Sequence, residues 1–431
     1  MRLNTIKIFS SFIVAAVLSM LVACNKDVLQ AEPIVPPTPT GASIAETINS
    51  DANLTILKAA IARAGTPLNA LLSDKSGVFT FFAPTDAAFQ NFFAALGIPA
   101  NVGVAAFRPG QLDTLLRYNL IGGQKLTTSV VPTTFPNLQE PSSFVLAAPS
   151  ATLPPGLRMP IFPSKNSLGF FVNNIPVTGA DIAVANGVIH KIPAVAIPPS
   201  QYLWNRIDTA ADLTYLKAAI LRADSGATAA TSLQAALLNP AANLTVFAPT
   251  NTAFQQVLTY QITQALIPVI TQQLIPVITQ QLIAGGATPG QAAAQAPALA
   301  AAQAPALAQG QATALASTPG VFQNSDLFSA LTAQTVKGII VYHLLGVRAF
   351  TVNFPTTATL VPTLLNSAVP AHPGVALKAT FGATGVTAAT VKGVANPTAS
   401  NITINPFPGG TSDQNYVNGV LHKIDQVLIP Q

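Results

Sequence analysis

Apolar positions along the chain recur at two periods, and the switch from one to the other marks out the elements. Leu54, Leu57 and Ile61 fall at i, i+3 and i+7, as do Leu213, Leu216 and Ile220. Residues 53–63 and 212–222 therefore each read as an amphipathic helix, with Asn53 and Asp212 expected as caps. Thr80-Phe81-Phe82-Ala83-Pro84 and Thr245-Val246-Phe247-Ala248-Pro249 are β-branched and aromatic runs stopped by proline. Each predicts a strand and a turn, then Thr85 or Thr250 capping a helix whose Phe89 or Phe254 turns inward. Alternating apolar residues flank Asn186-Gly187 and again Asn418-Gly419, a pair that predicts a tight hairpin because both residues tolerate positive φ.

These blocks are copies of one another in the same order. Residues 53–63 match 212–222, 80–89 match 245–254, Tyr118 aligns with Tyr342, and Asn186-Gly187-Val188-Ile189-His190-Lys191-Ile192 matches Asn418-Gly419-Val420-Leu421-His422-Lys423-Ile424. Four blocks in one order establish an internal duplication. The residues alone support two α+β domains. The strand ending Phe-Ala-Pro-Thr-Asp/Asn-x-Ala-Phe, the tyrosine, and the closing Asn-Gly-Val-x-His also resemble the fasciclin domain, over 42–198 and 205–431. That resemblance implies a bent β-sandwich or wedge with packed helices in each copy, and a role in adhesion to proteins or glycans. The short junction from Tyr202 to Arg206, with the sole tryptophan at Trp204, suggests a packed interface between the copies.

The second copy carries an insertion at about 260–318. Phe89 to Tyr118 spans 29 positions, whereas Phe254 to Tyr342 spans 88. The insertion opens with Leu266-Ile267-Pro268-Val269-Ile270-Thr271-Gln272-Gln273, repeated at once as 274–281, and then becomes a low-complexity tract of Ala, Gln and Pro. Ile262, Leu266, Ile270, Leu274, Ile278 and Leu282 lie four apart, a helical stripe that Pro268 and Pro276 are expected to kink. The expectation is a surface helix followed by a flexible loop. The sharper alternative is an apolar tongue for self-association or partner docking.

The N-terminus sets the compartment. Arg2 and Lys7 precede an apolar run from Ile8 to Leu21, an export signal over 1–23, and Leu21-Val22-Ala23-Cys24 resembles a bacterial lipobox. Cys24 would carry the lipid, and the prolines between residues 24 and 41 would hold an extended tether. Lys26-Asp27 resembles a surface-export signal of Bacteroidetes-type lipoproteins, so the expected location is the outer membrane, facing outward. Cys24 is the sole cysteine, which excludes an intramolecular disulfide. Charged residues make up 8% of the chain and the net charge is +5, so neither a nucleic acid nor another strongly charged partner is implied.

Candidate chemistry is sparse. His190, His343, His372 and His422 stand at no metal-ligand spacing, and no metal or cofactor is expected. His190 and His422 occupy equivalent hairpin positions and read as fold residues, as do Pro84, Thr85, Pro249, Thr250, Asn186, Gly187, Asn418 and Gly419. Tyr342-His343 and the equivalent Tyr118-Asn119 are the candidate partner contacts, because the matching pair in animal members of the family is implicated in receptor binding. No nucleophile elbow, phosphate loop or zinc-protease helix occurs, and the 15 acids form no facing pair, so no catalytic residue is assigned and an enzyme is not expected. The expected function is adhesion or ligand binding at the cell surface. The alternative is an accessory lipoprotein of an envelope complex, such as a glycan-uptake assembly.

Overall fold

The computed structural model describes residues 39–148, 156–228, 230–327, 331–383 and 385–431. The export signal, Cys24 and most of the proline tether lie outside the described residues. Gly41–Gln431 forms one compact unit of mixed helix and strand.

The first half opens with three helices, α1 (Ile44–Ser50), α2 (Thr55–Ala64) and α3 (Thr66–Ser73), followed by strand β1 (Phe79–Pro84). Helix α4 (Asp86–Ala95) and helix α5 (Pro109–Tyr118) follow, then β2 (Leu120–Gly122), β3 (Glu140–Ala147), β4 (Leu157–Ile161), a small sheet of β5 (Pro163–Asn166), β6 (Gly169–Val172) and β7 (Ile175–Pro176), and the closing hairpin β8 (Gly179–Val184) and β9 (Gly187–Ile192). The main sheet runs β4-β3-β2-β1-β9-β8. Its centre is the parallel pair β1–β9, in which Phe79 faces Gly187 and Phe82 faces His190.

The second half repeats the plan. Helices α6 (Leu203–Thr209), α7 (Thr214–Ala223) and α8 (Leu233–Ala236) lead to β10 (Leu244–Pro249). Two long helices, α9 (Asn251–Ala284) and α10 (Pro289–Leu315), precede α11 (Ala333–Tyr342) and β11 (Leu344–Leu345). Strands β12 (Thr359–Val361), β13 (Val375–Phe381), β14 (Val386–Lys392) and β15 (Ser400–Ile402) extend the sheet, and β16 (Gln414–Tyr416) and β17 (Gly419–Ile424) close it. β10 runs parallel to β17, with Phe247 facing His422 as Phe82 faces His190.

Three local expectations are corrected. Asn53 and Asp212 do not cap α2 and α7: the N-cap positions are Leu54 and Leu213, and neither supplies a side-chain cap. The acceptor comes from across the fold, where Asp86 Oδ1 receives Ile56 N–H (2.7 Å) and Asn251 Oδ1 receives Tyr215 N–H (3.2 Å). The hairpin turns fall one residue early, at Ala185-Asn186 and Val417-Asn418, since Val184 pairs with Gly187 and Tyr416 with Gly419. The insertion is not a helix and a loop. The Ala/Gln/Pro tract is itself helical, α9 runs unbroken through Pro268 and Pro276, and α10 through Pro297 and Pro305. A proline removes one ladder bond and strains one turn. Packing outweighs that here: Ile270 seats against Ala304 and Ala308, and Ile278 against Ala296 and Ala300.

The halves share an apolar seam. Phe162 and Phe171 of the first half cluster with Phe350, Val352 and Val420 of the second. Trp204, expected at this seam, lies instead in the core of the second half.

Candidate functional site

Each half contains the same polar latch, built on a buried threonine and a buried histidine. In the first, the Thr80 hydroxyl donates to Gln124 O (2.9 Å) and accepts Leu126 N–H (2.8 Å). His190 Nε2 bonds Leu126 O (2.8 Å), and its Nδ1 accepts Asp181 N–H (3.1 Å). Asp181 in turn accepts from the backbone N–H (2.9 Å) and hydroxyl of Thr128. In the second half Thr245, Ala349, His422, Asp413 and Thr351 make the equivalent bonds, with His422 Nε2 to Ala349 O at 2.8 Å and Thr351 N–H to Asp413 at 2.6 Å. The latch ties the crossover loop to the last hairpin, and each histidine ring stacks on the phenylalanine facing it, at 5.5 Å for Phe82 and 5.9 Å for Phe247. Asp181 and Asp413 sit at φ +57° and +53°, the left-handed region that Asp tolerates better than most side chains. Neither was picked out from the sequence, although each stands nine positions before its histidine.

Asn186 and Asn418 do more than turn the chain. Asn186 Oδ1 accepts Ile44 N–H (2.8 Å) and its amide donates to Leu72 O and Asp74 O, both at 3.0 Å. Asn418 does the same for Leu203 N–H and Leu237 O. Each asparagine pins the first helix of its half to the closing strand. Gly187 has φ +142°, and a Cβ there would stand 1.8 Å from Phe79 O, so the close β1–β9 approach excludes any side chain. Pro84 and Pro249 end the strands, while the Thr85 and Thr250 hydroxyls accept Ala88 and Ala253 N–H as caps.

The partner-contact assignment is corrected. Tyr118, Asn119, Tyr342 and His343 are all fully buried and present no surface to a partner. Tyr342 donates its hydroxyl to Gly374 O (2.7 Å), and Tyr118 O accepts from Asn173 and Asn415. His343 Nδ1 donates to Ile339 O (2.8 Å) and Nε2 accepts Leu428 N–H (2.8 Å). Asn119 reproduces the first of these bonds, donating to Leu115 O, and also reaches the chain terminal to its hairpin at Ala196 O (2.9 Å). Burial depresses the pKa of His343 to about 4 and also lowers those of His190 and His422.

His372 bonds Pro430 O and Gly374 N–H, so all four histidines have both ring nitrogens committed to backbone. Among the described residues no cluster of three or more His, Cys, Asp or Glu could hold a metal. At the seam Arg348 is fully buried, donating to Asn243, Asn415, Tyr416 O and Val417 O, with its guanidinium 4.8 Å above the Phe162 ring. Burial pulls its pKa down to about 10. A groove of about 590 Å³ lies at the root of the long helices between Gln255, Thr259, Tyr260, Thr263, Gln309 and Thr313. Its lining is uncharged and hydroxyl- and amide-rich, and Tyr260 is 66% exposed.

The chain is similar to known proteins over part of its length. The family model of the fasciclin domain matches residues 52–198, so the chain carries a fasciclin domain in its first half. A curated relative, transforming growth factor-beta-induced protein ig-h3 of Sus scrofa, is 30% identical over 188 residues, 41% of this chain. The match spans only 22% of that relative's length. Among solved structures, the FAS1 domain pair of the insect cell adhesion molecule fasciclin I aligns over 89% of this chain and 95% of its own at 12% identity. Its TM-score of 0.29 is too low to support any argument.

Proposed function

We propose that this protein is an exported, lipid-anchored adhesion module of a bacterial envelope, held through Cys24 and presenting two fasciclin-like domains to a protein or glycan. One observation carries the reading: the residues that define the repeat are spent on holding the fold. Every histidine is bonded at both nitrogens, and the motif asparagines and aspartates cap or pin backbone. What remains to engage a partner is outer surface, which is poor in charge and rich in Thr, Gln and Asn. The Tyr260 groove fits that picture, since an exposed aromatic ring among amide and hydroxyl groups suits a neutral, hydroxyl-rich ligand such as a glycan. Fold alone does not fix function, so the reading stands on these surfaces and on the lipobox.

A second reading, an accessory lipoprotein of an envelope complex, is favoured by the long paired helices, which suit docking to an assembly. Proteinase K treatment of intact cells separates the two. Loss of the full-length band in wild type supports surface adhesion. Protection until the outer membrane is broken supports the accessory role, and release of a Cys24→Ala variant into the soluble fraction checks the anchor.

A further inference from the structure

Helices α9 and α10 form an arm whose outer surface has an unusual composition. From Ser225 to Ser325 the chain contains no Asp, Glu, Lys, Arg or His. Along the arm the seam is built from Ile262, Ile270 and Ile278 on one helix and from Ala292, Ala296, Ala300, Ala304, Ala308 and Ala312 on the other, all buried. The positions just before these seam residues behave differently. Val269 and Val277 are 50% and 51% exposed, and Leu299 and Leu307 are 41% and 47% exposed. Large apolar side chains held this open on charge-free helices are a docking surface in waiting.

Helical geometry puts these four on one side of the arm. Each precedes a seam residue by one position, and in an antiparallel pair such positions on both helices project to the same face. The seam contacts set the levels: Ile270 meets Ala304 and Ala308, so Val269 lies level with Leu307, and Ile278 meets Ala296 and Ala300, so Val277 lies level with Leu299. Gln273 and Gln303, both exposed and each also one before a seam residue, fall between them, and Gln281 with Gln295 follows. The face is therefore a ladder of Val/Leu rungs alternating with Gln/Gln rungs, about 6 Å apart at 1.5 Å per residue.

We infer that this face binds the same face of a second copy of the chain. A two-fold contact requires a surface that complements itself. The ladder does around its centre: with the Gln273/Gln303 rung in the middle, a two-fold axis in the plane of the face and across the helices lays Val269/Leu307 on Val277/Leu299 and Gln273/Gln303 on its own copy, while Gln281/Gln295 meets Ala265 and Gln311 at the ends. Carboxamides both donate and accept, so glutamine pairs with glutamine without a charged partner. The area also suffices. The 27-residue helix α10 is about 40 Å long and the pair about 20 Å wide, giving roughly 800 Å² per copy, the share each partner contributes to a stable interface. Helix α9 is also long and apolar enough to cross a membrane. A Gln rung at every second level would leave carboxamides unpaired in lipid, whereas a second copy pairs them.

Sedimentation velocity of Gly41–Gln431, which contains all the described cores, tests this across 1–100 µM. The expected result is a dimer in wild type and a monomer for Val277→Glu/Leu299→Glu, with association weakened at least tenfold. Circular dichroism should show the helical signal retained, and Phe407→Glu, at an exposed site off the arm, should stay dimeric. A monomeric wild type at 100 µM, or a double variant as dimeric as wild type, would overturn the inference. So would flotation of monomeric wild type with phosphatidylcholine vesicles that the double variant abolishes, which would assign the face to lipid.

Discussion

The two halves share one latch and part company at a single helix. Both place a buried Thr and a buried His in the same network with an Asp that is buried in the second half and exposed in the first, and both cap the second helix from the residue after Thr85 or Thr250. They diverge where α4 ends. Gly97 adopts φ +68° and Ile98 N–H returns to Phe93 O, a left-handed stop that ends the helix after Ala95. The equivalent position in the second half is Ile262, which sits in the seam of the arm and lets α9 run on to Ala284. A buried polar network tolerates no drift because each unpaired member is costly. A surface helix end tolerates a large insertion because its closure cost grows slowly with length. The duplication therefore conserved what is enclosed and elaborated what is exposed.

The largest effect should come from the strand crossing that both halves share. Gly187→Ala would put a Cβ 1.8 Å from Phe79 O at φ +142°, whereas Gly419→Ala would meet Leu244 O at 2.4 Å without a left-handed backbone. Two separate strains act in the first case and one in the second. We expect losses of about 4 and about 2 kcal/mol, read from urea unfolding. Equal losses would break the assignment of strain to the first half.

The next contrast is His343 against Asn119. Above pH 6.5 the histidine is neutral in folded and unfolded chains alike. As pH falls through 6.5 the unfolded chain takes up a proton that the folded chain refuses until about pH 4, so stability is lost across that window. The shift amounts to about 3 kcal/mol, and His190 and His422 add loss of the same sign. Asn119 has no such proton. His343→Asn should cost about 1 to 2 kcal/mol at pH 7.5 through lost packing, yet flatten the decline in urea midpoint between pH 6.5 and 4. An unchanged decline would show that the other histidines carry it.

What was legible in the sequence was local. Helix periodicity, the proline-stopped strands, the threonine caps and the repeat itself lie within short windows, and the mixed α+β character followed from them. The parallel pairing of β1 with β9 was not legible, because its partners stand more than 100 positions apart and no spacing announces them. Nor was the fate of Tyr342-His343: a tyrosine at a helix end reads the same whether its hydroxyl meets solvent or Gly374 O. The arm was misread for a definite reason. Four prolines argue against helix one at a time, but Pro268, Pro276, Pro297 and Pro305 are all exposed, and the alanine seam opposite them stays whole. Prolines on the outer side let a helix curve around its partner.

The smallest effect tests the capping arrangement. Asp86 accepts Ile56 N–H and the Thr55 hydroxyl, and Asn251 accepts Tyr215 N–H and the Thr214 hydroxyl through one oxygen. Both supply an acceptor to a helix start that lacks its own cap, so the charge is secondary to the oxygen. Asp86→Asn should therefore cost less than about 0.5 kcal/mol, mainly the lost attraction between carboxylate and helix dipole. Asp86→Ala removes the acceptor and should cost about 1 to 2 kcal/mol. If Asn were as damaging as Ala in thermal unfolding, charge and not geometry would be what the first half requires, and the second half would hold its helix start by a different means.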